Sequence, residues 1–117
     1  MENLQATELR IGNKIYCDDL NIDTGKWHQR IIDVGYRDIY NLINGHDMIK
    51  GSYEPIPLTE EWLDKFSIDK EDITMMSIAG GNGFYFVIDN YYKQVYYLHE
   101  VQNLYWCLFG EELEVKL

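Results

Sequence analysis

The only two prolines of the chain stand two residues apart, in Glu54-Pro55-Ile56-Pro57. Each fixes its own φ, lacks an N–H and pushes the residue before it out of the helical region. The segment must run extended, and neither a helix nor a regular strand ladder passes through it. It is the natural seam of a chain of 117 residues, which suits a single domain over residues 1–117 with one ordinary core.

Before the seam the pattern predicts β structure. Leu9-Arg10-Ile11-Gly12-Asn13 ends in a turn and leads into Lys14-Ile15-Tyr16-Cys17. Trp27 to Tyr36 sets Ile32, Val34 and Tyr36 on one strand face, and Asp38 to Ile43 alternates through Tyr40 and Leu42. Asn44-Gly45 is a hairpin signal, because both residues tolerate positive φ, and Met48 to Tyr53 is the returning strand.

After the seam a helix is expected over 59–67. Thr59 is its N-cap, Glu60 and Glu61 suit the dipole, Glu61 faces Lys65, and Leu58, Trp62, Leu63 and Phe66 form its apolar stripe. Ile73–Ile78, Phe84–Asp89 and Gln94–Leu98 read as a meander, with a turn over Asn90–Lys93. A second helix over 99–109 follows, with Val101, Leu104, Tyr105 and Leu108 inward, Gln102 and Asn103 outward, and Gly110 as its left-handed cap. Glu112–Leu117 is a short edge strand. The order ββββ-α-βββ-α-β gives an α+β domain of antiparallel strands, a curled sheet or half-barrel whose first half suits a Src-homology type.

Charge narrows the function classes. Twenty acids against ten bases give −10. Residues 1–58 hold nine acids and six bases, whereas 59–117 hold eleven and four. Such a surface repels phosphate backbones, so no direct nucleic-acid partner is expected; the charge suits a well-solvated surface first, or a basic partner. No apolar run reaches the ~20 residues of a membrane span, and the first residues carry neither a basic stretch nor an apolar signal core. Two cysteines 90 positions apart make no disulfide framework. A soluble cytoplasmic protein without a membrane contact is expected.

The motifs that carry chemistry are incomplete. Asp19-Leu20-Asn21-Ile22-Asp23-Thr24-Gly25 opens like a calcium loop, but glycine comes one place late and Arg30 stands where the bidentate Glu belongs. A hairpin turn with a left-handed Gly25 explains the same residues. Gly80-Gly81-Asn82-Gly83 opens a strand where a phosphate loop opens a helix, and reads as a hairpin tip. His28, His46 and His99 have no metal spacing with one another or with the cysteines, so neither metal nor cofactor is expected. Cys17 and His28 could meet across a hairpin as nucleophile and base, but Asp18 and Asp19 oppose a lowered thiol pKa. His99, where strand gives way to helix, suits a structural hydrogen bond to backbone. No catalytic residue is assigned.

Seventeen residues are aromatic, ten of them tyrosines. Tyr85, Tyr91, Tyr92, Tyr96 and Tyr97 crowd the last hairpin, and alternation leaves some facing away from the core. They form the candidate interaction surface, since tyrosine offers much contact area at little entropic cost.

Three segments carry a family resemblance: Glu8 to Asn13 (ELRIGN), Pro55 to Leu63 (PIPLTEEWL), and Tyr97 to Tyr105 (YLHEVQNLY) with Gly110 to Leu113 (GEEL). On these the chain resembles a group of small proteins of Bacteroides-type gut bacteria, many encoded in prophage or mobile-element regions. It departs from them at Trp106-Cys107 and Phe109, where relatives have a smaller residue or Thr. The resemblance implies a bacterial or phage cytoplasmic setting and brings no activity, cofactor or catalytic residue.

Three functions are compatible with the sequence. One is a non-catalytic interaction or accessory module of a mobile element or phage. Another is an acidic nucleic-acid mimic that blocks a DNA-binding protein, which needs its charge spaced along one face. The third is a small enzyme using Cys17, His28 or His99, which needs those side chains to converge.

Overall fold

The computed structural model describes residues 4, 6–44, 50–67, 73–78 and 83–116. The chain forms two compact units, Met1–Ile56 and Pro57–Leu117, divided inside the proline seam. The class is α+β, with antiparallel strands in open sheets.

In the first unit a single 3-10 turn, Ala6–Glu8, precedes β1 (Lys14–Asn21), β2 (Lys26–Asp33), α1 (Tyr36–Asn44) and β3 (Lys50–Glu54). The Leu9–Asn13 stretch is a turn: Asn13 Oδ1 accepts from Arg10 N at 2.7 Å and Asn13 N donates to Arg10 O at 3.0 Å. β1 and β2 form a hairpin in register from Lys14↔Asp33 to Asn21↔Lys26. Its tip is closed by Gly25 N donating to Asn21 O at 2.7 Å, with Gly25 at φ +70°, as the turn chemistry predicts. β3 pairs with the other edge of β1, giving the order β2-β1-β3. Alternate positions of these strands, Ile15, Cys17 and Ile32 with Val34 and Tyr53, join Leu4 in the core.

Four strands were expected in this half, but residues 36–44 are helix α1 where strand and hairpin were expected, so among the described residues the order is ββαβ and the sheet has three strands. Tyr36 consequently lies outside β2 and is exposed, unlike Ile32 and Val34. The run is short enough to satisfy both periods, and tertiary bonds choose between them. Asp38 Oδ2 accepts from Gly35 N at 2.9 Å, tying off the helix start, while Ile39 and Leu42 pack against the core. Asn44 closes the helix; Gly45, the second residue of the expected turn, and Met48-Ile49 lie outside the described residues.

The second unit opens with α2 (Glu60–Leu63), whose N-cap Thr59 Oγ1 accepts from Trp62 N at 3.4 Å. The helix ends at Leu63 and does not reach Ser67. Phe66–Ser67 is strand β4, paired with β8 (Glu114–Val115), and Lys116 N donates to Lys65 O at 2.8 Å. That pairing demands extended backbone, which overrides the local helical pattern. Lys65 places its ammonium 4.9 Å from the Trp62 ring centroid.

The expected meander is present as β5 (Ile73–Ser77), β6 (Phe84–Ile88) and β7 (Tyr91–Val95), in the order β5-β6-β7. Ile88 pairs with Tyr91, so the turn is the two residues Asp89-Asn90, tighter than the Asn90–Lys93 expected. Asp89 takes φ +50° to close it.

Helix α3 (Leu98–Phe109) begins where Glu100 Oε1 accepts from Tyr96 N and Tyr97 N, at 2.9 and 3.0 Å, and ends at Gly110 in the left-handed region. Its inward face differs from the one expected. Leu98, Val101, Gln102 and Tyr105 are buried, at i, i+3, i+4 and i+7, while Leu108 is 42% exposed and Gln102 only 2%. The buried stripe thus begins three residues earlier and is rotated about the helix axis.

Candidate functional site

Register decides which way the tyrosines face. β6 sets Phe84 and Phe86 inward, both buried, and Val95 of β7 lies opposite Phe84. The alternate positions face the other way. They are Tyr85 and Val87 on β6, Gln94 and Tyr92 opposite them on β7, and Met76 and Thr74 opposite them on β5.

This outward face is uncharged, aromatic or apolar at four positions and polar at Thr74 and Gln94. Tyr92 is 67% and Met76 53% exposed, with Tyr85 and Val87 half-buried between them. Tyr85 and Tyr92 are diagonal neighbours across β6 and β7. Their rings meet edge to face, 5.6 Å between centroids and 86° between planes.

The other three tyrosines lie beyond these six positions. Tyr91 lies at the β6–β7 turn, where it shares a shallow cavity of about 450 Å³ with Ile88, Asp89, Asn90 and Leu108. Tyr96 is exposed just past β7, and its ring lies 6.5 Å from that of Tyr97. Tyr97 is half-buried at the start of α3 and stacks on the buried His99, 5.9 Å away and 9° from parallel. Alternation along β6 therefore sets Tyr85 and Val87 on this face, whereas Tyr92, expected within a turn, and Met76 join it through pairing across strands.

A second exposed aromatic surface lies in the first unit. Tyr36, Tyr40 and Ile43 are each more than 60% exposed, on one side of α1. A cavity of about 390 Å³ runs beside Tyr36, Arg37, Tyr40 and Asn41. The strand reading of 38–43 hid this side. The signal that finds it is the i, i+4, i+7 spacing of those three residues.

Cys17 is fully buried, its Sγ 3.7 Å from both Asp18 O and Asp19 Oδ1. His28 is exposed on β2 and pairs in register with Asp19, while Cys17 pairs with Arg30. In the calcium-like segment, Asp19 forms an ion pair with Arg30, and Asn21 Oδ1 accepts from the backbone N–H of Asp23 and of Thr24. Among the described residues no group of three His, Cys, Asp or Glu side chains is placed to hold a metal ion. Gly80, Gly81 and Asn82 of the glycine-rich tip, and His46, lie outside the described residues.

One buried polar cluster ties α1 to β3. Tyr53 Oη donates to Asp38 Oδ1 at 3.0 Å and accepts from Asn41 Nδ2 at 3.1 Å. Burial raises the Tyr53 pKa to about 12; the Asn41 hydrogen bond opposes the rise and the Asp38 carboxylate adds to it.

No helix among the described residues is long and apolar enough to cross a membrane. No family model, curated protein or solved structure matches the chain.

Proposed function

We propose that the chain is a non-catalytic interaction or accessory module whose contact surface is the outward face of the β5–β6–β7 sheet. The supporting observation is the edge-to-face pair of the half-buried Tyr85 and the exposed Tyr92 with Met76 beside it, on an uncharged face of a protein of net charge −10. Isolated exposed apolar residues are ordinary, but aromatics gathered on one sheet face are the composition of an interface centre. The resemblance in the three sequence segments supplies the setting: the cytoplasm of a bacterium, in service of a prophage or mobile element.

The reading as an acidic nucleic-acid mimic competes with this one. A mimic presents spaced carboxylates. The six outward positions of the sheet, Thr74, Met76, Tyr85, Val87, Tyr92 and Gln94, carry none.

The test is affinity capture from the native host with wild type and with the double variant Tyr92→Ser/Met76→Ser. Both side chains are more than half exposed, so the variant keeps its melting temperature. It is expected to lose the partner that wild type retains. A mimic would keep that partner in the double variant and lose it when exposed carboxylates are replaced by amides.

A further inference from the structure

Resting on that reading of the sheet face, we propose that its occupant is a polypeptide segment rich in arginine, whose guanidinium groups lie on the rings of Tyr85 and Tyr92. Three observations point to a cation. The unit Pro57–Leu117 holds eleven acids and four bases, so its field draws in positive charge and repels acidic or phosphate-bearing ligands. The outward face carries no charged side chain by register, so no cation on it competes for the rings. Tyr92 is 67% exposed, leaving ring surface free beyond its edge contact with Tyr85.

Those conditions favour cation–π contact, in which a cation sits within about 6 Å of a ring centroid. Arginine suits the face better than lysine. Its planar guanidinium stacks flat on a ring and is more weakly hydrated than an ammonium, so less is lost on leaving water. The stem of each arginine can lie along Val87 and Met76, and the Gln94 carboxamide oxygen can accept a guanidinium N–H. A second copy of the chain is the less favoured occupant, because it brings the same charge of −10 to the contact.

The probes are two fluorescent peptides, one of Arg-Gly-Gly repeats and one of Lys-Gly-Gly repeats, titrated by anisotropy into the full chain at two salt concentrations. The expected result is tighter binding of the arginine peptide, weakened by salt. Tyr92→Ser should reduce its affinity about 5- to 10-fold, and Tyr92→Phe should keep it, since the ring suffices. Absence of binding overturns the proposal. So does arginine-peptide binding that Tyr92→Ser leaves unchanged, which would be attraction of a polycation to an acidic surface. A sedimentation experiment that finds a dimer abolished by Tyr92→Ser also overturns it, in favour of the second copy. The host-capture experiment separates the two levels. If Tyr92→Ser/Met76→Ser loses its partner there while the arginine peptide does not bind, the face stands and the cationic occupant falls. If capture is unchanged by that variant, both fall.

Discussion

The hydroxyl of Tyr53 on β3 donates to Asp38 Oδ1 on α1 at 3.0 Å, the two residues being buried and 15 positions apart. Asp38 also accepts from Gly35 N at 2.9 Å, so one carboxylate starts the helix and holds it to the strand. A buried carboxylate is tolerable because each oxygen has a donor, and the helix is held in place by the same bonds.

Tyr53→Phe removes the donor and leaves the buried Asp38 and Asn41 each short of a partner. The expected cost is about 1–3 kcal/mol, read from chemical denaturation at pH 7. The pH dependence has a definite sign. The folded-state pKa of about 12 lies above the ordinary 10.0, so the folded protein holds this proton more tightly than the unfolded chain does. Its stabilising contribution is complete below pH 10 and is lost as pH rises toward 12. Wild type should therefore lose stability relative to Tyr53→Phe across that window. A constant difference from pH 8 to 11.5 would contradict the buried-hydroxyl account.

The face of α3 is tested by two leucines. Leu98 is fully buried and Leu108 is 42% exposed. Leu98→Ala should cost about 2–5 kcal/mol through lost transfer energy and a residual cavity, whereas Leu108→Ala should stay within about 0.5 kcal/mol. Equal melting temperatures for the two variants would count against the observed inward face.

Two glycines separate backbone strain from crowding. Gly83 and Gly110 both take positive φ, +91° and +68°. A Cβ at Gly83 would sit 2.7 Å from Val95 O and 2.8 Å from Tyr96 Cδ1, while one at Gly110 meets nothing within 4 Å. Gly110→Asn should cost about 1 kcal/mol or less, because Asn accepts the left-handed cap. Gly83→Asn should cost clearly more, because Val95 O is backbone and cannot turn aside. Thermal melts of the two variants decide it, and equal losses would count against the close approach at Gly83.

Calcium should not stabilise the protein. The side chains that would ligate it are engaged, Asp19 with Arg30 and Asn21 with the turn N–H groups of Asp23 and Thr24. A melting temperature unchanged by millimolar calcium or by EDTA is expected; a rise of several degrees with calcium would show that the turn rearranges into a loop.

Local chemistry determined much of this protein. The prolines at 55 and 57 placed the division of the chain, Thr59 started α2, Gly25 closed the first hairpin and Gly110 ended α3. Each of these acts through its own backbone or through partners within four residues, so the sequence alone shows it. Alternation along β6 likewise marks Tyr85 as outward while Phe84 and Phe86 are buried. Pairing at a distance decided the rest. Asp38 and Asn41 reach Tyr53, which holds residues 36–44 as helix although alternation also allowed a strand. Phe66–Ser67 meets Glu114–Val115, which ends α2 early. Gln102 is buried and Leu108 exposed, because a helix face is chosen by what surrounds it and by the total apolar area covered. Met76 joins Tyr85 and Tyr92 through the β5–β6 register, and a one-residue slip would send every one of these side chains to the opposite face.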